Sequence, residues 1–361
     1  MKKSFIVMAI SLALTCYSIS EEDPQIAGKP LSEWIRQLQS ENRGLQVRAA
    51  RALSEAPQEI RVAIVPKVMP LLKSERENDR FVAAQILGEY GPVARAAVPD
   101  LLPMLKGTQY ERNRAAAAKA LGQILKDAEP SEEVDRVAEA LAAKFNEEYD
   151  QYSDVRREAV RAIGMIGPAA KKVIPKLTRA LTDYVQYSGE HQMVRQQAAW
   201  ACGRMGPLAV EHLDRLITML HSEGDQLPEI VEAIGKIGPV NENVVNNIVD
   251  KMEQVGGLHD WSAFKEAAFK ALEGFGPKAL PAKSYLMRIL RETPDNRVPI
   301  EPLIAATRVL GAIGPAAKDA LELLEKMKTY QSHPHAEIPQ EKHDILHKEA
   351  EIAIRKVKGE K

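Results

Sequence analysis

Val155-Arg156-Arg157-Glu158-Ala159-Val160-Arg161-Ala162-Ile163-Gly164-Met165-Ile166-Gly167-Pro168 decides the fold, because Val194-Arg195-Gln196-Gln197-Ala198-Ala199-Trp200-Ala201-Cys202-Gly203-Arg204-Met205-Gly206-Pro207 repeats its pattern without a gap. The same frame recurs around Pro57, Pro92, Pro130, Pro168, Pro207, Pro239, Pro277 and Pro315, which stand 35, 38, 38, 39, 32, 38 and 38 residues apart. A period near forty marks a repeat array, in which each unit is one supersecondary element that cannot bury its apolar face alone.

Within one unit, Val155, Ala159, Ala162, Ile163 and Ile166 take the spacing of a single helix face, which defines a first helix, A. Gly167 is expected to end it in a left-handed conformation, and Pro168, lacking an N–H, prevents its continuation. A linker over residues 169–174 then leads to Pro175, where a second helix, B, can start because first-turn N–H groups have no intrahelical partner. Leu177, Ala180 and Leu181 turn its apolar face towards helix A, as do Leu101, Met104 and Leu105 after Pro99. A column of small residues, Ala49, Ala83, Ala117, Ala159, Ala198, Ala268, Ala306 and Ala350, is broken only by Ile230 and is assigned to the A/B contact inside each pair. Burying one Leu or Ile contributes roughly 1.5–3 kcal/mol, so stacked pairs offset the chain entropy where a single unit does not.

This string of residues resembles the HEAT repeat, in the short variety related to that of bilin lyases, from about residue 31 to 357. The resemblance implies an all-α, armadillo-like α-solenoid: a right-handed superhelix of about eight antiparallel helix pairs with helix B on the concave face, closed by a C-terminal capping helix. Unit one departs from the pattern with Glu55-Ala56-Pro57, unit three with Glu129-Pro130, and unit six is short. Leu346, Ala350 and Ile354 repeat the helix A frame in a final half unit whose other positions are charged, as suits a polar end cap. Residues 28–38 resemble the opening helix of exported bacterial HEAT proteins, with Trp34 covering the open end of the first pair. The domain reading is a signal peptide over residues 1–20, a mature N-terminal segment over 21–30, and one continuous solenoid over 31–358.

The first twenty residues have their own character: Lys2 and Lys3 precede an apolar run from Phe5 to Leu14, and Glu21-Glu22-Asp23 follow. That run is too short to span a bilayer and reads as a signal for export to the periplasm or the cell exterior. Ser18 and Ser20 suit cleavage after Ser20. Cys16 raises lipidation as an alternative, but Ala13 and Thr15 stand where a lipobox wants Leu and a small residue. The net charge is −1, and −3 once Lys2 and Lys3 leave with the signal, which disfavours nucleic acid as a partner. With Cys16 removed, Cys202 is the only cysteine, so no disulfide framework forms. Cys202 occupies the apolar slot that Ile163 and Leu121 fill in other units, and so reads as a core residue.

Strings that carry known chemistry are missing: there is no Walker A, GxGxxG, HExxH, CxxC or GxSxG motif, and no His-Glu dipeptide of the kind that holds iron in HEAT-like hydroxylases. No catalytic residue and no cofactor is therefore assigned. His343 and His347 lie on one helix face with His333 and His335 just before them, an arrangement read either as surface imidazoles or as metal ligands. Arg80, Arg114, Arg156, Arg195 and Lys265 form a basic column near the start of successive A helices. Its favoured reading is structural, bonding carboxylates or helix-end carbonyls of adjacent units, with Asp79 and Asp154 the nearest acids in sequence.

Binding surfaces in such an array are rows, and two rows qualify. On the B helices, the positions after the helix start hold Lys67, Asp100, Lys176, Arg179, Arg215, Thr218, Asn247, Asp250, Tyr285 and Arg288, a mixed groove suited to a protein or peptide. The loops between units hold Tyr110, Tyr149, Tyr152, Tyr184, Tyr187, His259 and Trp261. Loop aromatics supply interface hot spots or cover the ends of their own helix pairs. The leading expectation is a non-enzymatic, exported scaffold that binds a protein or extended peptide. The alternative is an enzyme or an enzyme's accessory subunit, such as a cofactor or bilin lyase-like chaperone, using the concave groove.

Overall fold

A computed structural model of the chain describes residues 23–106, 110–146, 150–183, 190–222, 228–258, 260–292, 299–332 and 338–360. The export signal, its cleavage sites and Cys16 lie outside the described residues, as do Tyr149, Tyr184, Tyr187, His259, His333 and His335. The chain divides after Lys67 into two compact units.

The N-terminal unit opens with a two-residue hairpin, β1 (Gln25–Ile26) against β2 (Lys29–Pro30), an addition to the helices expected from the sequence. Ala27 and Gly28 turn it with φ of 47° and 79°, the conformation that two-residue hairpin loops require. Helix α1 (Leu31–Leu38) follows directly, and the Asp23 carboxylate accepts the N–H of Ser32 in its first turn at 3.1 Å. Trp34 is buried, and its indole N–H donates to the Ile26 carbonyl at 2.7 Å, so it closes over the hairpin. Helices α2 (Arg43–Ser54) and α3 (Gln58–Val68) form the first pair; Asn42 caps α2 by accepting from the N–H groups of Gly44 and Leu45.

In the larger unit the A helices are α4 (Glu77–Glu89), α6 (Glu111–Ile124), α8 (Ser153–Ile166), α10 (Glu190–Met205), α12 (Pro228–Ile237), α14 (Ala263–Phe275) and α16 (Glu301–Ile313). They alternate with the B helices α5 (Val98–Leu101), α7 (Glu132–Ala143), α9 (Leu177–Leu181), α11 (Leu213–Ser222), α13 (Glu242–Gln254), α15 (Lys283–Arg291) and α17 (Leu321–Met327), and α18 (Gln340–Lys358) ends the array. Each A helix packs on the next from α4 through α16, and α16 on α18. This is an all-α solenoid of helix pairs.

Two expectations about the repeat unit are corrected. The segment after Gly-Pro is more than a short linker: residues 167–176, 206–212, 276–282 and 314–320 wind as 3-10 turns that lead into helix B, with a kink at Ala170, Ala209 and Ala317. Proline at the first helical position favours a new helix at once, because its fixed φ suits the turn and it has no N–H to leave unbonded. The glycines before these prolines also differ from a simple left-handed cap, with Gly167 at φ 72° and ψ −147° and Gly314 at φ 73° and ψ −142°. Only glycine adopts that region without strain, which is why the position is so regular.

The alanine column is buried throughout, but the tightest backbone approach is made by a different column and joins successive A helices. A Cβ on Gly122 would lie 2.5 Å from the Ala162 Cα, one on Gly203 3.0 Å from the Ala233 Cα, and one on Gly311 2.9 Å from the Ala353 Cα. Gly88 meets Ala120 and Gly235 meets Ala271 in the same way, and Gly164 meets the Trp200 ring at 2.4 Å as well as the Ala201 Cα at 3.0 Å. Glycine removes its own Cβ from the contact and alanine keeps the partner small, so two helix backbones touch. Glu273 takes the glycine's place in α14.

Candidate functional site

The basic column is tied into the scaffold. The Asp150 carboxylate, buried in the loop after α7, accepts from Arg114 Nε and Nη2 at 2.6 and 2.9 Å, while its carbonyl accepts from Arg156 Nη1 at 2.7 Å. Asp183 repeats the arrangement after α9: its carboxylate takes Arg156 Nε and Nη2 at 2.6 and 3.1 Å, and its carbonyl takes Arg195 Nη1 at 2.8 Å. Each loop aspartate thus clamps the arginine of its own unit with its side chain and the arginine of the next with its backbone. Arg80 bonds the carbonyls of Ser74 and Glu75, and Lys265 that of Gly257. Burial holds the Lys265 ammonium below its ordinary pKa against the opposing pull of Asp260. Asp79 and Asp154 are not the partners: Asp79 bonds Ser74 and Arg76, and Asp154 pairs with Arg157.

Cys202 is fully buried, and desolvation pushes its thiol up to about 12, so it stays protonated and inert at neutral pH. His343 is buried with Nε2 accepting from the Ser332 N–H at 3.2 Å, and His347 Nε2 lies 2.8 Å from the Tyr330 carbonyl. These two imidazoles bind α18 to the segment before it. Among the described residues, no cluster of three or more His, Cys, Asp or Glu side chains could hold a metal ion.

Of the loop aromatics, Tyr110 and Tyr152 occupy equivalent places, each immediately before its A helix, and are 58% and 43% exposed. The Arg114 guanidinium sits 5.5 Å from the Tyr152 ring. Trp261, half-buried one residue before the Ser262 cap of α14, stacks on Phe269 at 5.7 Å.

On the B row, Lys67, Arg179, Thr218 and Asp250 are exposed, and several other members are engaged across units. Asp100 pairs with Lys73 at 2.8 Å, Lys176 with Glu139 at 2.7 Å, and Arg288 with Glu253. Asn247 bonds His221 at 2.9 Å. Tyr285 was expected on the exposed face and is instead 5% exposed, because α15 turns its ring inward beside Arg288, whose guanidinium lies 5.6 Å away. Burial, reinforced by Glu253, pushes its phenol up to about 12, which keeps it a hydrogen-bond donor. Three donors on this row, Arg215 Nε, Tyr285 Oη and Arg288 Nε, are buried with no acceptor among the described residues.

The B row also contains a groove that the sequence reading passed over. It lies between α7 and α5 with its 3-10 continuation (Leu102–Leu105), has a volume of about 460 Å³, and is lined by Pro99, Leu102 and Pro103 on one side and Arg136, Ala140 and Ala143 on the other. Unit three lacks the helix-start proline of units one, two and four, and α7 has no member in the row. The signal was present as Arg136, Ala140 and Lys144 at i, i+4, i+8. A second groove, of about 280 Å³, lies between α14 and α16 over Phe269 and Ile304.

A description of HEAT repeats matches residues 31–122 and 138–235, together more than half of the chain. The protein belongs to the HEAT-repeat family, whose solenoids mediate protein interactions. Among solved structures, importin beta is similar with a TM-score of 0.59 at 16% identity, over 90% of this chain and 48% of that one. The karyopherin Kap121p, bound to the extreme C-terminus of the protein phosphatase Cdc14p, is similar with a TM-score of 0.59 at 14% identity, over 95% of this chain and 40% of that one. The chain therefore spans less than half the length of either of these proteins, and at these identities the likeness is one of fold. No curated protein matches it in sequence.

Proposed function

We propose that this protein is a non-enzymatic, exported scaffold that holds an extended segment of a partner protein along its B helices. The observation that carries the reading is the row of solvent-facing side chains that successive B helices present, with Arg179, Thr218 and Asp250 exposed and Arg215 and Arg288 half-buried. Stacking sets the same position of successive units side by side, so an extended chain laid across this face meets several of these side chains at once. The column that resembled a ligand ladder is spent on the scaffold, Arg114, Arg156 and Arg195 on Asp150 and Asp183 and Arg80 and Lys265 on loop carbonyls, and Cys202 is inert, which leaves no nucleophile in the candidate set. A protein of the same fold is bound to the extreme C-terminus of a protein phosphatase, a precedent for a partner segment as occupant. Export rests on Lys2, Lys3 and the apolar run after them.

Affinity capture from the bacterial envelope tests the function. A partner that is retained by the wild type and lost by the Arg215→Ala, Arg288→Ala double variant, at unchanged helicity, supports the B-helix face. Equal retention by both proteins sinks it. A reporter fused after residue 40 that stays in the cytoplasm removes the export claim.

A further inference from the structure

We propose that the groove between α5 and α7 is the reading site for an acidic, apolar peptide segment: an extended stretch of partner chain that seats an apolar side chain between the two B helices and presents carboxylates to Lys106 and Arg136. The inference rests on the B-helix face being the interaction surface, and it adds the chemistry of the occupant.

The floor is apolar because of what each wall is made of. Pro99 and Pro103 offer ring carbons and no N–H, Leu102 adds an aliphatic surface, and Ala140 with Ala143 keeps α7 thin enough to leave about 460 Å³ between the walls. Arg136, Ala140 and Lys144 mark two helical turns along α7. Two turns cover about 11 Å, the reach of about three extended residues.

The charge around this floor is one-sided. Lys106 and Arg136 are exposed at its margins, and neither side chain makes a hydrogen bond or ion pair with a described residue. The nearby carboxylates are already committed to cations of neighbouring units: Asp100 to Lys73, Glu133 to Arg95, Asp135 to Lys172 and Glu139 to Lys176, at 2.7–2.8 Å. Those pairs occupy Glu133, Asp135 and Glu139 of α7; Glu132, one turn before Arg136, lies outside the groove lining, where Arg136 is the exposed charge that α7 contributes. A basic segment meets two uncompensated cations here, and a phosphate backbone has no use for a floor of proline and alanine. A segment with carboxylates either side of an apolar residue satisfies both features at once.

The test uses the full-length mature chain and a fluorescein-labelled peptide of about eight residues alternating leucine and glutamate, long enough to overrun the groove, with a leucine and lysine counterpart as control. Anisotropy is expected to show binding of the acidic peptide only, weakened by added salt as exposed charges are screened. Lys106→Glu with Arg136→Glu is expected to weaken it about tenfold, and Ala140→Trp, which fills the groove, to abolish it with helicity unchanged. Equal binding of the basic peptide, no binding of the acidic one, or a double charge reversal without effect overturns the proposal. So does a concentration-dependent dimer that the charge reversal dissolves, since a second copy would then cover the groove. If acidic-peptide binding survives at Lys106 and Arg136 but is lost in Arg179→Glu with Arg215→Glu, the B-helix face stands and the groove assignment alone fails.

Discussion

The middle of the array and its C-terminal end solve the same packing problem in different ways. Between α8 and α10, Gly164 faces Ala201, and Arg156 is wholly buried with both prongs of its guanidinium on Asp183. Between α14 and α16 the corresponding positions hold Glu273 and Val309, a groove of about 280 Å³ remains, and the equivalent of the arginine is Lys265, bonded to one backbone carbonyl. Two substitutions in the glycine-alanine contact thus accompany an opening on the surface, and a point charge replaces a fork. A planar guanidinium matches a carboxylate at two points while an ammonium cannot, so the middle is pinned in orientation where the end is only tethered.

The largest way to test that contrast is to remove the cations. Arg156→Ala leaves the Asp183 carboxylate buried without its partner and is expected to cost about 3–5 kcal/mol, whereas Lys265→Met loses one bond and a desolvated charge, for about 1–2 kcal/mol. Equal losses in urea denaturation would mean that the two ends are held alike. Next is volume: Gly122→Leu drives a side chain into the Ala162 backbone and is expected to cost about 1–3 kcal/mol, while Glu273→Leu, at the same column, stays within about 0.5 kcal/mol. A comparable melting-temperature drop for both would show that the column is not a contact at all.

The smallest difference appears in alkali. The Cys202 thiol on α10 is held at about 12 against an ordinary 9.0, and the Tyr285 phenol on α15 at about 12 against 10.0. A group whose pKa is raised by folding contributes stability that is complete below its unfolded pKa and is lost as pH climbs to the folded one. Each therefore contributes a decline of about 1.4 kcal/mol per pH unit, starting near pH 9 for Cys202 and near pH 10 for Tyr285. Cys202→Ala is expected to postpone the fall in melting temperature by about one pH unit. An unchanged onset would place the thiol outside the core.

Much of this was legible before any coordinates, for reasons that differ by residue. Cys202 declared itself a core residue by occupying the slot of Ile163, and the basic column declared itself structural by sitting at a fixed repeat position. Its partners were not legible, because Asp150 and Asp183 lie in loops of unequal length, whereas Asp79 and Asp154 merely stand close in sequence. Tyr285 is buried against expectation because a fixed repeat position sets where a B helix begins and not how α15 rolls about its axis. The groove at Arg136 is not legible in the row because no residue of α7 belongs to it.

The sequence by itself determined the repeat, where its A helices end and the alanine column they bury, since periodicity and the backbone limits of glycine and proline act within a few residues. Only the tertiary structure decided which glycine meets which alanine, which aspartate clamps which arginine, and where two neighbouring B helices leave a gap. Those are contacts between units some forty residues apart, set by helix roll and side-chain volume on both sides at once, and no single unit's sequence encodes both sides.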